Sequence, residues 1–182
     1  HHKGEYDNSS YFLKIANDEK LKLQPSDLKR KLNTGEMYRN FKFENQEDIN
    51  KNLDKNCYLF IVGMPRCGST LLESILSLNS GVTDLGEVFF LEESLKETED
   101  LKKINDIYSK KVLDINSFNN IYTDKNLFNF LYCPIIYRFF PNSRIIHCTR
   151  NPLDNVLSIY RTNFINQSFS SSLKDIAKLY TY

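Results

Sequence analysis

Two textures divide the chain. From residue 1 to about residue 56, charged and Asn-rich positions are interspersed with apolar ones at helical spacing, Phe12, Ile15 and Ala16 and then Leu28 and Leu32, with a stop at Pro25. This half-polar pattern predicts two or three helices. At Tyr58 it gives way to the unbroken apolar run Tyr58-Leu59-Phe60-Ile61-Val62, expected of a strand covered on both faces in a parallel sheet. A Gly-containing turn follows, and then Leu71, Leu72, Ile75 and Leu76 predict a helix with one apolar face.

The alternation repeats. Residues 82–85 read as a short strand, 88 to about 112 as helices, and 121–123 as a strand. Residues 127–140 read as a helix, because Leu127, Leu131, Ile135 and Phe139 recur every four positions, with Pro134 as a kink. Residues 144–149 form the last strand candidate and Pro152 opens a helix to about residue 164. A Ser-rich loop and the start of a further helix end the chain. Strands alternating with helices predict the α/β class: a parallel sheet with flanking helices over residues 57–182, preceded by a short helical segment over 1–56.

Composition narrows the options. With 182 residues, 41% of them hydrophobic, the chain can bury a real core. Its 24 Lys and Arg oppose 23 Asp and Glu, so the net charge of +1 provides no field for nucleic acid or anionic lipid, and any anion specificity must be local. The longest apolar run, 57–64, falls far short of a membrane span, and the N-terminus shows no secretory h-region, so a cytoplasmic location is expected. Cys57, Cys67, Cys133 and Cys148 form no CxxC pair and no ligand spacing with the three histidines; buried free thiols are expected, and no metal.

The sharpest chemical signal is Gly63-Met64-Pro65-Arg66-Cys67-Gly68-Ser69-Thr70, set between the buried strand and its helix. Glycines there let backbone N–H groups converge, the helix N-terminus adds its positive end, and the hydroxyls of Ser69 and Thr70 can bind phosphate oxygens. Ser69 stands where a Walker loop has Lys, which argues against ATP or GTP hydrolysis; Arg66 can supply the cation instead. A second signal is Arg150-Asn151-Pro152-Leu153-Asp154, with Ser158 further on. Asn151, Pro152 and Asp154 suit a helix start without any ligand, whereas Arg150 and Ser158 can hold a second anion or be ordinary surface residues. Third, Glu87 follows Gly86, and Lys125 follows Asp124. The loop, Glu87, Lys125 and Arg150 all fall at carboxyl ends of successive strand candidates, the edge where open parallel sheets bind ligands.

These residues resemble a family. Residues 58–72, Gly86-Glu87, Thr123-Asp124-Lys125 with Asn129-Phe130, and 144–158 look like a sulfotransferase, in the family's order, over about residues 57–182. The likeness is greatest to bacterial sulfotransferases that carry tetratricopeptide repeats and are akin to tyrosylprotein sulfotransferases, and residues 4–17 resemble the end of such a repeat. The resemblance implies a P-loop-like sulfotransferase fold using 3'-phosphoadenosine 5'-phosphosulfate (PAPS), with 3'-phosphoadenosine 5'-phosphate (PAP) as product and no metal. Arg66, Cys67, Gly68, Ser69 and Thr70 would hold the 5'-phosphosulfate end, and Arg150 and Ser158 the 3'-phosphate. Glu87 would be the general base, with Lys125 and Arg66 stabilising the leaving phosphate.

The chain departs from the family at Cys67 and Ser69, where Ser and Thr are usual, and at Leu127, where a proline is usual. It also ends at Tyr182, before the C-terminal part that completes the family's sheet, so the resemblance implies a C-terminally truncated domain. The expected activity is sulfuryl transfer to a hydroxyl, with an amine as second choice; the acceptor class is not legible. A protein partner for the N-terminal helices is a further expectation. Two other readings stay open: a P-loop-type phosphoryl transferase, and a non-catalytic repeat-containing adaptor with a degenerate nucleotide site.

Overall fold

Pro25 acts through the residue before it. The first helix, α1 (Tyr6–Leu23), ends at Gln24, whose backbone is extended as a residue preceding proline requires, and α2 (Leu28–Arg39) starts four residues further on. The computed structural model describes residues 4–41, 56–116 and 118–182, so a third helix beyond α2 in the N-terminal segment would lie outside the described residues. The apolar run forms β1 (Cys57–Gly63), which is interior to a four-stranded parallel sheet completed by β2 (Val82–Asp84), β3 (Ile121–Asp124) and β4 (Arg144–Cys148). The order is β2-β3-β1-β4. Phe60 pairs with Asp124 on one side of β1, and Gly63 with Cys148 on the other.

Burial follows position in the sheet. Phe60 and Ile61 are inaccessible and β3 is buried from Tyr122 onward, whereas the outer strand β4 has only exposed and half-buried positions. Between and after the strands run α3 (Ser69–Leu76), α4 (Phe90–Glu97), α5 (Ile104–Ile115), α6 (Cys133–Phe139), α7 (Pro152–Tyr160) and α8 (Leu173–Tyr180). The fold is therefore α/β, a parallel sheet with flanking helices, as the alternating pattern predicts. No helix among the described residues is long and apolar enough to cross a membrane.

The chain forms two compact units, residues 35–149 and residues 1–34 with 150–182. The first holds the sheet, and its core is aromatic. Phe140 packs edge-on against Phe60 and Tyr108, with ring centroids 5.5 and 5.3 Å apart, and Tyr108 meets Tyr58 at 5.0 Å. Ile104, Tyr108 and Val112 recur every four residues along α5 and are all inaccessible. Three tyrosine hydroxyls of this core find partners: Tyr58 donates to Ser109 Oγ at 2.7 Å, Tyr108 to Asp124 Oδ2 at 2.9 Å and Tyr122 to the Asn116 carbonyl at 2.9 Å.

In the second unit Asp27 does most of the joining. Its carboxylate accepts from the Phe169 N–H at 2.9 Å and from Ser168 Oγ at 3.2 Å, while its own N–H donates to Ser168 Oγ at 3.0 Å. Asn17 Nδ2 donates to the Tyr160 carbonyl at 3.2 Å, and Lys20 Nζ reaches Asn163 Oδ1 at 3.0 Å and the Phe164 carbonyl.

Several sequence expectations are corrected. Residues 127–140 are not one kinked helix: Leu127–Tyr132 is a 3₁₀ segment, and Pro134 sits in the first turn of α6, where its missing N–H costs nothing. The Ser-rich stretch is not all loop, because Ser168–Ser171 is a buried 3₁₀ turn. Phe12, Ile15 and Ala16 on α1 are exposed while Asn17 is buried, and on α3 Leu71 and Ile75 are exposed while Glu73 is buried. The cysteines are free but half-buried rather than buried.

Two predictions follow from this core. Phe140→Ala should destabilise the protein by about 3–5 kcal/mol, read as a lower urea midpoint, because three rings lose their common neighbour. Asp124 concerns pH. Burial pushes its carboxyl up from 3.8 to about 7, against the opposing pull of the Asn126 N–H and the Tyr108 hydroxyl, and nearby Glu73 adds to the rise. The folded state thus holds this proton more tightly than the unfolded chain. The associated stability is whole below about pH 4 and is lost as pH rises through 7. Urea unfolding should show a loss of about 2 kcal/mol between about pH 5.5 and pH 8 that is absent in Asp124→Asn. An equal pH slope in the variant would assign it to other groups.

Candidate active site

At the end of β1 the backbone closes on β4. A Cβ at Gly63 would lie 2.5 Å from the Cys148 carbonyl oxygen, so only glycine fits where the chain turns off the sheet. The loop then uses two left-handed residues. Arg66 has φ +67°, an uncommon conformation for a residue with a side chain, and Gly68 has φ +102° with open space on its Cβ side. α3 begins directly after Gly68, which offers no side-chain cap to the first N–H groups of the helix. The helix therefore opens with uncapped donors beside Arg66, an arrangement suited to an anion. Arg66, Gly68 and Thr70 are exposed, Cys67 is half-buried and Ser69 is buried.

Beyond β2, the Leu85 N–H donates to the Thr123 carbonyl at 3.0 Å and the Lys125 N–H to the Gly86 carbonyl at 2.8 Å, so this segment follows the end of β3. Asn126 fixes it further. Its Nδ2 donates to the Val88 carbonyl at 3.1 Å, and its Oδ1 accepts from the Phe128 N–H at 3.2 Å, capping the 3₁₀ segment. That cap sets the turn at Leu127, where the resembled family usually has proline. The result brings Glu87 Oε1 to 2.9 Å from Lys125 Nζ. The pair is asymmetric, since the Lys125 side chain is 7% exposed and that of Glu87 is 68% exposed.

Sequence reasoning missed the third member, Glu73. Its carboxylate lies 3.8 Å from Lys125 Nζ and accepts from Thr123 Oγ1 at 2.9 Å, and its side chain is 8% exposed. The available signal was an acid set among Leu71, Leu72, Ile75 and Leu76. By contrast, Glu92 and Glu93, the next acids along the chain after Glu87, are engaged on α4 with Lys96 at 2.7 Å and with Lys111 at 3.4 Å. Asn129 is buried beside Asp124, close enough to draw its carboxyl downward but outside hydrogen-bonding geometry, and neither polar atom of its amide has a hydrogen-bond partner.

Cys67 of the loop and Cys148 at the end of β4 interact through their side chains. Burial pushes the Cys148 thiol up, and Cys67 adds to the effect. In the other compact unit, Asn151 caps α7 by accepting from the N–H groups of Leu153 and Asp154 at 3.0 and 3.2 Å, with Pro152 in the first turn. Arg150 is exposed, and its carbonyl accepts from the Tyr180 hydroxyl at 2.9 Å. Ser158 is half-buried on the same helix. Among the described residues no group of three or more His, Cys, Asp or Glu could hold a metal ion.

Comparison with known proteins gives the family. An uncharacterized protein of Aquifex aeolicus (strain VF5) is 33% identical over 129 residues, which cover 58% of this chain and 17% of that protein's length. The model described as "Sulfotransferase family" matches residues 59–112 and 97–182, a span that begins in β1 and takes in the loop, Glu73, Glu87, Lys125 and α7. With most of its length matched, including every element of the site, the chain belongs to the sulfotransferase family.

Proposed function

We propose that this chain transfers a sulfuryl group from PAPS to a hydroxyl of an acceptor, with Glu87 as general base. The observation that carries the reading is the 2.9 Å contact between Lys125 and Glu87 in a member of this family, because it sets a cation and a carboxylate side by side at the carboxyl edge of the sheet. The residues also suit the donor's anionic groups. α3 opens with uncapped N–H groups beside Arg66, and no lysine stands at Ser69 to favour a nucleoside triphosphate.

When bound, PAPS supplies an activated sulfuryl group on a phosphate leaving group. In the proposed step Glu87 takes the acceptor's hydroxyl proton as the new S–O bond forms, and the S–O bond to phosphate breaks. Lys125 and Arg66 stabilise the negative charge left on that phosphate. Cys67, Gly68, Ser69 and Thr70 hold the 5' end, chiefly through backbone N–H groups, and Arg150 with Ser158 takes the 3'-phosphate. The exposure of Glu87 suits a base that must meet an incoming acceptor.

In the same reading, residues 57–182 are the sulfotransferase domain, and residues 1–56 include the end of a tetratricopeptide repeat that meets a protein partner. What supports the repeat is its length, two successive helices from Tyr6 to Arg39 covering about 34 residues, one repeat period, with Tyr6, Tyr11 and Phe12 exposed on α1.

Thermal shift is the first test. PAP should stabilise the protein more than AMP or ATP and without a divalent metal, whereas equal shifts from AMP and PAP would remove the 3'-phosphate site. Arg150→Ala should weaken PAP by about 1.5–3 kcal/mol while leaving AMP nearly unchanged. With PAPS and a panel of hydroxyl acceptors, Glu87→Gln should cut turnover by about 10²- to 10⁴-fold with PAP affinity near wild type. Retained turnover would exclude Glu87 as the base.

A further inference from the structure

Resting on the proposed reading of Lys125, we propose that Glu73 is a positioning residue for that lysine, acting through a chain of contacts that runs Thr123, Glu73, Lys125. The geometry is specific. One carboxylate oxygen of Glu73 is held by the Thr123 hydroxyl at 2.9 Å, and the other lies 3.8 Å from Lys125 Nζ. Thr123 is inaccessible, and Glu73 and Lys125 are both almost fully buried. Exposed Glu87 stands closer to the ammonium, at 2.9 Å.

The two carboxylates differ in what they can do. Glu87 is largely solvated, so its side chain is free to turn toward an acceptor, and a lysine held by Glu87 alone would turn with it. Glu73 cannot follow, because its position is fixed by Thr123 at the end of β3 and by its place in α3, one turn past the phosphate loop. It ties Lys125 to the helix that the loop opens. The ammonium thus keeps its place at the loop side of the site while Glu87 moves and takes up a proton. A buried ammonium without a fixed counter-charge would be drawn outward to water.

On donor binding Glu73 has two opposed effects. Its negative charge works against an anionic ligand, and its hold on Lys125 works for the ligand. On turnover the repulsion persists but the hold outweighs it in this proposal, because misplacing a charge-stabilising group by about 1 Å can cost on the order of 100-fold. A positioning residue should therefore separate kcat from affinity.

The test uses Glu73→Gln, Glu73→Asp and Thr123→Val in the whole chain, each alone and combined with Lys125→Ala. With PAPS and a hydroxyl acceptor, Glu73→Gln should lower kcat about 10-fold or more with PAP affinity within about 3-fold of wild type. In the Lys125→Ala background the same change should have no further effect, since residues acting as one unit are not additive. Additive losses would overturn the proposal, because a packing role does not need Lys125.

A second readout needs no activity. Brief acetic anhydride labelling, followed by mass spectrometry, should show Lys125 protected relative to exposed Lys102 in the wild type. It should be labelled severalfold faster in Glu73→Gln and in Thr123→Val, and protected again in Glu73→Asp. Unchanged labelling in folded Glu73→Gln would also overturn the proposal. If Glu73→Gln does not fold, Thr123→Val, which removes only the hydroxyl holding Glu73, decides by the same criterion. Absence of PAP binding with the labelling pattern intact would instead defeat the sulfotransfer reading and leave the positioning of Lys125 standing.

Discussion

A lysine ammonium removed from water is costly, by several kcal/mol even after relaxation, unless carboxylates take the place of solvent. Lys125 imposes that constraint on this fold. The ammonium lies at the carboxyl end of β3, so compensation must come from elements that meet at that edge, α3 through Glu73 and the segment after β2 through Glu87. Thr123, in the strand itself, fixes the first. The Lys125 N–H to the Gly86 carbonyl and the Asn126 amide to the Val88 carbonyl fix the second on either side of Glu87. Satisfying one buried charge thereby aligns three pieces of chain that are far apart in sequence, and the Gly63–Thr70 loop is attached to one of them.

How much of this was legible depends on the range of the interaction. β1 was legible because a strand with neighbours on both sides needs five or more consecutive apolar residues, and 58–62 supply them. The cap of α7 was legible because Asn151, Pro152 and Asp154 act within one turn, and the side-chain bonds from Asn151 occur where that logic puts them. The proximity of Glu87 and Lys125 followed from strand ends sharing an edge. The apolar stripe of α3 misled, because periodicity reports which residues share a face and not which face is covered. Leu71 and Ile75 face outward, and the buried position belongs to Glu73, whose partners lie about 50 residues away. Long-range pairing of a buried acid leaves no mark in the sequence except the acid itself. Likewise the four-residue spacing of 127–139 was real, yet the capping of a 3₁₀ segment by Asn126 and the place of Pro134 in a first turn divided it in two.

The charge arrangement also says where an anion's affinity must come from. Lys125 carries one positive charge between two carboxylates, so the trio as a whole does not attract a phosphate. In the proposed reading, attraction for the 5' end of the donor comes from the N–H groups that open α3 without a side-chain cap and from Arg66, whose left-handed backbone helps form the loop. Strain at Arg66 is of order 1 kcal/mol or somewhat more, and folding tolerates it only where the surrounding loop fixes it. That reading divides the labour: the loop binds the 5' end with backbone and one arginine, while the lysine is kept nearly neutralised until negative charge develops beside it. Such a lysine would add little to holding the ground state and much to stabilising the proposed leaving phosphate, which is the difference in binding that accelerates a reaction.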